Sequence, residues 1–198
     1  MLDPSGMYPD GFHPIQVNRR RDFRGRAKRF TRTLRPTRYY LIDFGLSRRY
    51  SSRNALDQPI RGGDKSAPEH RVRNLCNPFH TDIYYLGNLV RERFFKVRRT
   101  VQTLVDYAAY AIYQVYNGFG FMAGLVNAMT DENPAERPTI ENVISRFSYI
   151  RDSLSEFKLR SIITSKKDPR IVTTYRYARQ VVRTAQYMIL QKAAIPYA

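Results

Sequence analysis

One stretch constrains this chain more than any other: an apolar run that stops on an acid and turns on a glycine. Tyr39-Tyr40-Leu41-Ile42 reads as a short buried strand, two aromatics leading to a β-branched residue. Asp43 then stands where the strand ends, and Gly45 lets the backbone turn sharply behind it. A carboxylate at a strand end beside a flexible turn is suited to holding a cation such as Mg²⁺, which takes oxygen ligands.

Three further motifs follow in order. Ala67-Pro68-Glu69 comes after a polar, glycine-containing segment, then His80-Thr81-Asp82-Ile83-Tyr84-Tyr85-Leu86-Gly87, then Asn133-Pro134-Ala135-Glu136-Arg137-Pro138-Thr139. Together with Asp43-Phe44-Gly45 they resemble the C-terminal half of a eukaryotic-type protein kinase domain. Asp43 to Gly45 match its metal-binding motif, and Ala67 to Glu69 the motif that closes the activation segment. Asp82 to Gly87 match the start of its central helix, and Arg137 the arginine that pairs with the glutamate of the second motif. More narrowly, Arg38 to Arg49, Arg61 to Arg71, Met122 to Phe147 and Leu154 to Ser161 look like a kinase-like family of mushroom-forming fungi.

The resemblance implies a mainly α fold, a kinase-like C-lobe with a short β element around Asp43 and no N-lobe. It implies a basic loop or insertion at 1–37, the lobe at 38–160 with an activation segment at 43–69, and a basic helical tail at 161–198. By the same likeness Met1 to Asp3 fall just after the catalytic loop, so the chain is expected to start inside a domain. The family activity is ATP-dependent phosphorylation of protein Ser/Thr, with ATP and Mg²⁺ as its cofactors. Glu69 and Arg137 are expected to form a buried ion pair. The Asp82 carboxylate is expected to reach the backbone of the catalytic loop.

Phosphoryl transfer needs several groups at once: a Gly-rich loop, a strand lysine, a catalytic aspartate, a metal-binding asparagine and the Asp-Phe-Gly carboxylate. Only Asp43 is recognisable. No catalytic residue is assigned, Asp43 is a metal ligand only if the full site assembles, and this chain alone is expected to bind neither ATP nor Mg²⁺. Arg21-Asp22 imitates the catalytic-loop dipeptide, but Arg20 stands where histidine belongs and Ala27 where asparagine belongs. Gly118-Phe119-Gly120 opens a helical pattern after the Ala-Pro-Glu motif and reads as local structure. Gly63-Asp64-Lys65-Ser66 puts an acid where a phosphate loop needs glycine. His13, His70 and His80 lack metal-ligand spacing. The activation-like stretch has no threonine before Ala67 to position a substrate hydroxyl. Ser47, Ser51, Ser52 and Ser66 could take phosphate, with Arg48, Arg49 and Arg53 to pair with it.

Charge widens the choice of partner. Lys+Arg 34 against Asp+Glu 17 gives +17, which attracts nucleic acid, anionic lipid or acidic protein without choosing among them. Residues 19–38 concentrate it: ten basic residues against Asp22, with Phe23 and Phe30 as sparse aromatics. They suit phosphate contacts on an anionic surface or nucleic acid; a solvated insertion is the plainer reading. A non-catalytic scaffold binding anionic partners is therefore the alternative to a partial kinase domain. The single cysteine, Cys76, excludes an internal disulfide and fits a reducing compartment, cytoplasmic or nuclear. No signal peptide is read at Met1 to Gly11, and no run reaches the ~18 apolar residues of a membrane span.

Helical stripes organise the remainder. Asp82 is expected to cap a helix whose inner face is Ile83, Leu86, Val90 and Phe94. Residues 97–117 read as another helix. Phe119, Met122, Leu125, Val126 and Met129 form the next face. Thr139 is expected to cap a helix lined by Ile140, Val143, Ile144, Phe147, Ile150 and Leu154. From Pro169, Ile171, Tyr175, Ala178, Val182, Ala185 and Ile189 make a heptad seam. Three dispositions are open to that last helix, packing on the domain being the ordinary one. The others are a partner helix and an anionic membrane.

Overall fold

The computed structural model describes the chain except Leu2, Thr33, 60–63, Arg73, Asn74, 98–111, Val115, 166–167, Ala193 and 196–198. The described residues are mainly helical and form two compact units. One comprises Gly45–Leu154 with Ile163–Arg170. The other comprises Met1–Phe44, Ser155–Ile162 and Ile171–Ala198.

In the first unit a short helix α1, Glu69–Val72, precedes the long helix α2, Pro78–Phe94. Asn77 caps α2, its side chain accepting the Phe79 N–H at 3.0 Å. The expected cap, Asp82, lies a turn further in. Pro78 decides this: it has no N–H to donate and its fixed φ suits the first helical position, so the helix starts there. Ile83 is buried and Val90 and Phe94 pack on the core, but Leu86 falls past the edge of that face and is exposed. Gly87 has a packing role. A Cβ there would lie 2.7 Å from Met129 Cβ and 2.8 Å from Thr130 Cγ2, so its bare backbone lets the next helix approach.

Strand β1, Phe95–Val97, pairs antiparallel with β2, Ile112–Gln114; β3, Tyr116–Asn117, pairs with β4, Thr164–Ser165. The helix expected at 97–117 is therefore replaced by strands at both its ends, where Val97, Ile112, Tyr113 and Tyr116 favour extended backbone. Its centre, 98–111, lies outside the described residues. A 3-10 turn, Gly120–Met122, leads into α3, Ala123–Met129. Met122, Leu125, Val126 and Met129 join Ile83, Phe95 and Val143 in one core, and Phe119 packs against it. Phe119 stacks on Phe94 with centroids 4.3 Å apart and meets Phe95 edge-on at 6.2 Å. The Gly-Phe-Gly segment is thus an aromatic plug.

Helix α4, Ile140–Ser153, is capped by Thr139, whose Oγ1 accepts the Asn142 N–H at 3.4 Å. Of its expected inner face only Val143 is buried, with Ile150 packed on the core; Ile140, Ile144 and Phe147 are exposed. A helix that meets its core chiefly through one short neighbour, α3, covers a narrow strip of its surface.

In the second unit, residues 1–44 run as turns and extended chain. They are tied by bonds such as Phe30 N–H to Met7 C=O and Asp3 N–H to Arg38 C=O, both 2.9 Å. Met7 is its buried apolar centre. The buried strand expected at Tyr39–Ile42 is not one: Tyr39, Tyr40, Leu41 and Ile42 are exposed, Leu41 at 83%. Its backbone bonds reach the chain start, through Tyr40 N–H to Met1 C=O. A strand is buried only where a second layer covers its face, and among the described residues no such layer lies over this one. Helix α5, Glu156–Leu159, is capped by Ser155, and α6 spans Arg170–Ile189. Gln180 on α6 donates to the Arg160 carbonyl at 2.7 Å, and the buried Arg160 guanidinium donates to the Lys192 carbonyl. Thr184 is buried at 1%. All six residues of the expected seam are exposed, so α6 packs by its opposite, more polar face. Among the described residues no helix is long and apolar enough to cross a membrane.

Candidate functional site

The most completely built polar site lies where α1, α2 and the turn after α3 converge. Glu69, at the start of α1, faces Arg137, which follows the 3-10 turn Pro134–Glu136. Nη1 donates to Glu69 Oε1 at 2.5 Å and Nη2 to Oε2 at 3.1 Å, a two-pronged pair with the arginine side chain 0% exposed. The other donors are also placed: Nε on the Asp131 carbonyl at 2.8 Å, and Nη1 on the His80 carbonyl at 3.0 Å. Thr81 Oγ1 adds a third donor to Glu69 at 3.0 Å. Burial pushes the Glu69 carboxyl up, but the bonds from Arg137 and Thr81 outweigh it and hold the group below its usual value. The ring of Tyr84 lies 4.8 Å from the Arg137 guanidinium, a cation–π contact in a dry setting.

Tyr84 joins this pair to a second cluster. Arg91 stands over the same ring at 5.3 Å, and its Nη2 donates to the Tyr84 hydroxyl at 2.8 Å and to Asn88 Oδ1 at 2.7 Å. The Asn88 amide in turn donates to Asp64 Oδ2 at 2.9 Å and Ser66 Oγ at 2.8 Å. Burial raises the Asp64 carboxyl, and the bonds from Ser66 and Asn88 bring it below its usual value. Sequence reading missed Tyr84, Asn88 and Arg91. Their signal is a polar stripe at steps of four and three along α2, the counterpart of the apolar stripes.

Chemically this arrangement holds and does not react. Its donors and acceptors satisfy one another, which fixes the backbone from Asp64 to Glu69 against α2. Cys76 lies at its edge, Sγ 3.5 Å from the Asp57 carbonyl and 3.7 Å from Thr81 Oγ1; burial pushes the thiol up, away from the reactive thiolate. His70 meets the Tyr85 hydroxyl at 2.5 Å, and burial pushes that phenol to about 12. His13 Nδ1 accepts backbone N–H groups from Ile15 and Gln16. Of the arginines expected to meet phosphate, Arg48 pairs with Asp57 at 2.7 Å and Arg53 with Glu141 at 2.8 Å.

Asp43 stands elsewhere. It is exposed, with φ +65, and the left-handed residue at this turn is Asp43 itself, where the sequence had pointed to Gly45. Among the described residues no three His, Cys, Asp or Glu side chains gather to hold a metal. A Mg²⁺–nucleotide site needs further oxygen ligands and phosphate-binding groups beside such a carboxylate. Asp82 is exposed as a residue and its carboxylate meets no hydrogen-bond donor among the described residues. The protein around it strips enough water to push its pKa up.

Comparison of the chain with protein-family models, with curated proteins and with solved structures finds no match.

Proposed function

We propose that this chain is a kinase-type C-terminal lobe that acts as a helical platform, and that these 198 residues alone do not transfer phosphate. The observation that carries the reading is the Glu69–Arg137 pair. Its partners were named from motif order, 68 residues apart in sequence, and they meet in a buried bidentate contact. The cluster at Asn88 supports it by fixing Asp64 and Ser66, in the loop that precedes Ala67-Pro68-Glu69. The proposed inactivity rests on the sequence, in which Asp43 is the one group of the phosphoryl-transfer set that is recognisable.

Two measurements test this. An experimental structure should superpose α2, α3 and α4, with the Glu69–Arg137 pair, on the helices of protein kinase C-lobes; a different helix arrangement would discard the lobe. Incubation of the pure chain with labelled ATP and a general protein substrate should give no label above background. Transfer that disappears in Asp43→Ala would overturn the claim of inactivity.

A second reading, a scaffold for anionic partners, is favoured by one observation: all ten basic residues of 19–38 are exposed. It predicts binding to nucleic acid of any sequence that weakens steeply with salt. Absence of such binding at physiological salt removes nucleic acid as the partner of this segment.

A further inference from the structure

Helix α6 presents two faces of opposite use. Thr184 is buried and Gln180 is anchored to the Arg160 carbonyl, so this side docks on its own unit. Ile171, Tyr175, Ala178, Val182, Ala185 and Ile189 occupy the opposite side, and every one is exposed, Ile171 at 85% and Ile189 at 81%. At 100° per residue they fall within an arc of about 80°. Val181 and Met188, also exposed, widen that arc on one flank. Arg179 and Arg183 border it on the other.

The charge of the helix chooses among occupants. Arg170–Ile189 contains four arginines and no acid. A second copy would bring two cationic helices together with no acidic residue on either to pair across the seam, the arrangement coiled coils avoid. The seam also carries Ala178 and Ala185 where such an interface wants larger residues. A nucleic acid would use the arginines but leave the apolar stripe in water. An anionic bilayer answers both features: the stripe enters the acyl boundary while arginines beside it reach lipid phosphates and carboxylates. At 20 residues the helix is about 30 Å long, and its arginines let it lie in the interface without crossing.

We propose that α6 is a docking surface for an anionic lipid bilayer, with Ile171, Val182 and Ile189 inserted and Arg179 and Arg183 at the headgroups. The inference rests on α6 alone and stands whether or not the chain is a kinase lobe.

The test is co-sedimentation of the full chain with phosphatidylcholine vesicles, with and without about a third phosphatidylserine, at physiological salt. Partition into the serine-containing vesicles should be at least about tenfold stronger, since surface charges each contribute severalfold. Val182→Asp with Ile189→Asp should cut it by at least about tenfold while circular dichroism stays unchanged, both sites being exposed. Arg179→Gln with Arg183→Gln should lower binding to the anionic vesicles alone, on the order of twentyfold. A chain with Arg19, Arg20 and Arg21 changed to Gln should keep most of its binding, which separates α6 from the basic arm. Equal binding to both vesicle types overturns the proposal. So does a seam variant that binds as wild type, or one that changes only a monomer–dimer equilibrium in sedimentation.

Discussion

Two carboxylates head the motifs of this chain, Glu69 and Asp43, and the molecule treats them in opposite ways. Glu69 is buried against a guanidinium and a hydroxyl, all of them bonded. Asp43 sits in the open at a left-handed turn. Both were read from short motifs of the same length. The difference is supply: two separate stretches, at Thr81 and Arg137, deliver donors to Glu69, while among the described residues none is placed on Asp43. A carboxylate becomes structural where the fold brings donors to it, and burial without them would only raise its pKa.

The sharpest way to break this contrast is at Arg137. Arg137→Ala leaves Glu69 buried without its partner and should cost about 3–5 kcal/mol. Asp43→Ala should shift thermal stability little, since the residue is exposed. Equal losses in the two variants would erase the distinction. The pair is also sensitive to acid. Glu69 has a depressed folded pKa, so its contribution is complete above the ordinary glutamate value near ~4.3. It is lost as pH falls through the lower folded value. The gap in melting temperature between wild type and Arg137→Ala should therefore narrow as pH falls below the ordinary glutamate value; a gap unchanged at about pH 2 would mean the arginine acts through packing and its bonds to the Asp131 and His80 carbonyls.

Gly87→Ala is the next largest expected effect. Alanine favours a helix by about 1 kcal/mol over glycine. Against this, Met129 Cβ and Thr130 Cγ2 already lie within 3 Å of the new carbon, and Met129 Cβ is fixed to its backbone. Overpacking of this kind costs about 1–3 kcal/mol, so the clash wins and urea midpoints should fall. A stabilised Gly87→Ala would show that α2 and α3 are not in this close register.

The smallest effect belongs to Asp82, which sharpens the rule from the other side. Its pKa is raised, so the folded state prefers the protonated acid and the ionised form works against folding. Asp82→Asn should raise the melting temperature at pH 7 by no more than about 2 °C. The gain should vanish as pH falls through the raised pKa of the wild-type group. A loss on substitution would assign the carboxylate a partner.

Legibility followed the same division. Helices α3 and α4 were readable as helices because their apolar residues recur at steps of three and four and Thr139 marks the start of α4, although of the α4 stripe only Val143 is buried. Asp82 misled because it stands directly before the apolar stripe, whereas Asn77-Pro78 starts the helix a turn earlier. Phe95, 0% exposed and central to the core, was invisible: it follows α2 directly and belongs to a strand whose partner lies 15 to 19 residues away in the register Phe95 to Gln114, Lys96 to Tyr113 and Val97 to Ile112. Tyr39–Ile42 showed the converse failure. Its composition fits burial, but composition states a need for cover and cannot supply the layer that provides it. The Asn88 cluster was missed because polar residues at helical spacing are usually solvated, and nothing local said that Asp64 and Ser66 would arrive.

Arg137 has a further consequence, in time. Its guanidinium spans 68 residues to Glu69 and 57 to the His80 carbonyl. Closing loops of that size carries an entropic cost that must be met before the contacts return anything. The pair should then form late, after α2 and α3 have docked, and act as a latch on the finished unit. In stopped-flow refolding, Arg137→Ala should fold at nearly the wild-type rate and unfold much faster. A slowed folding limb would instead put the arginine in the nucleus.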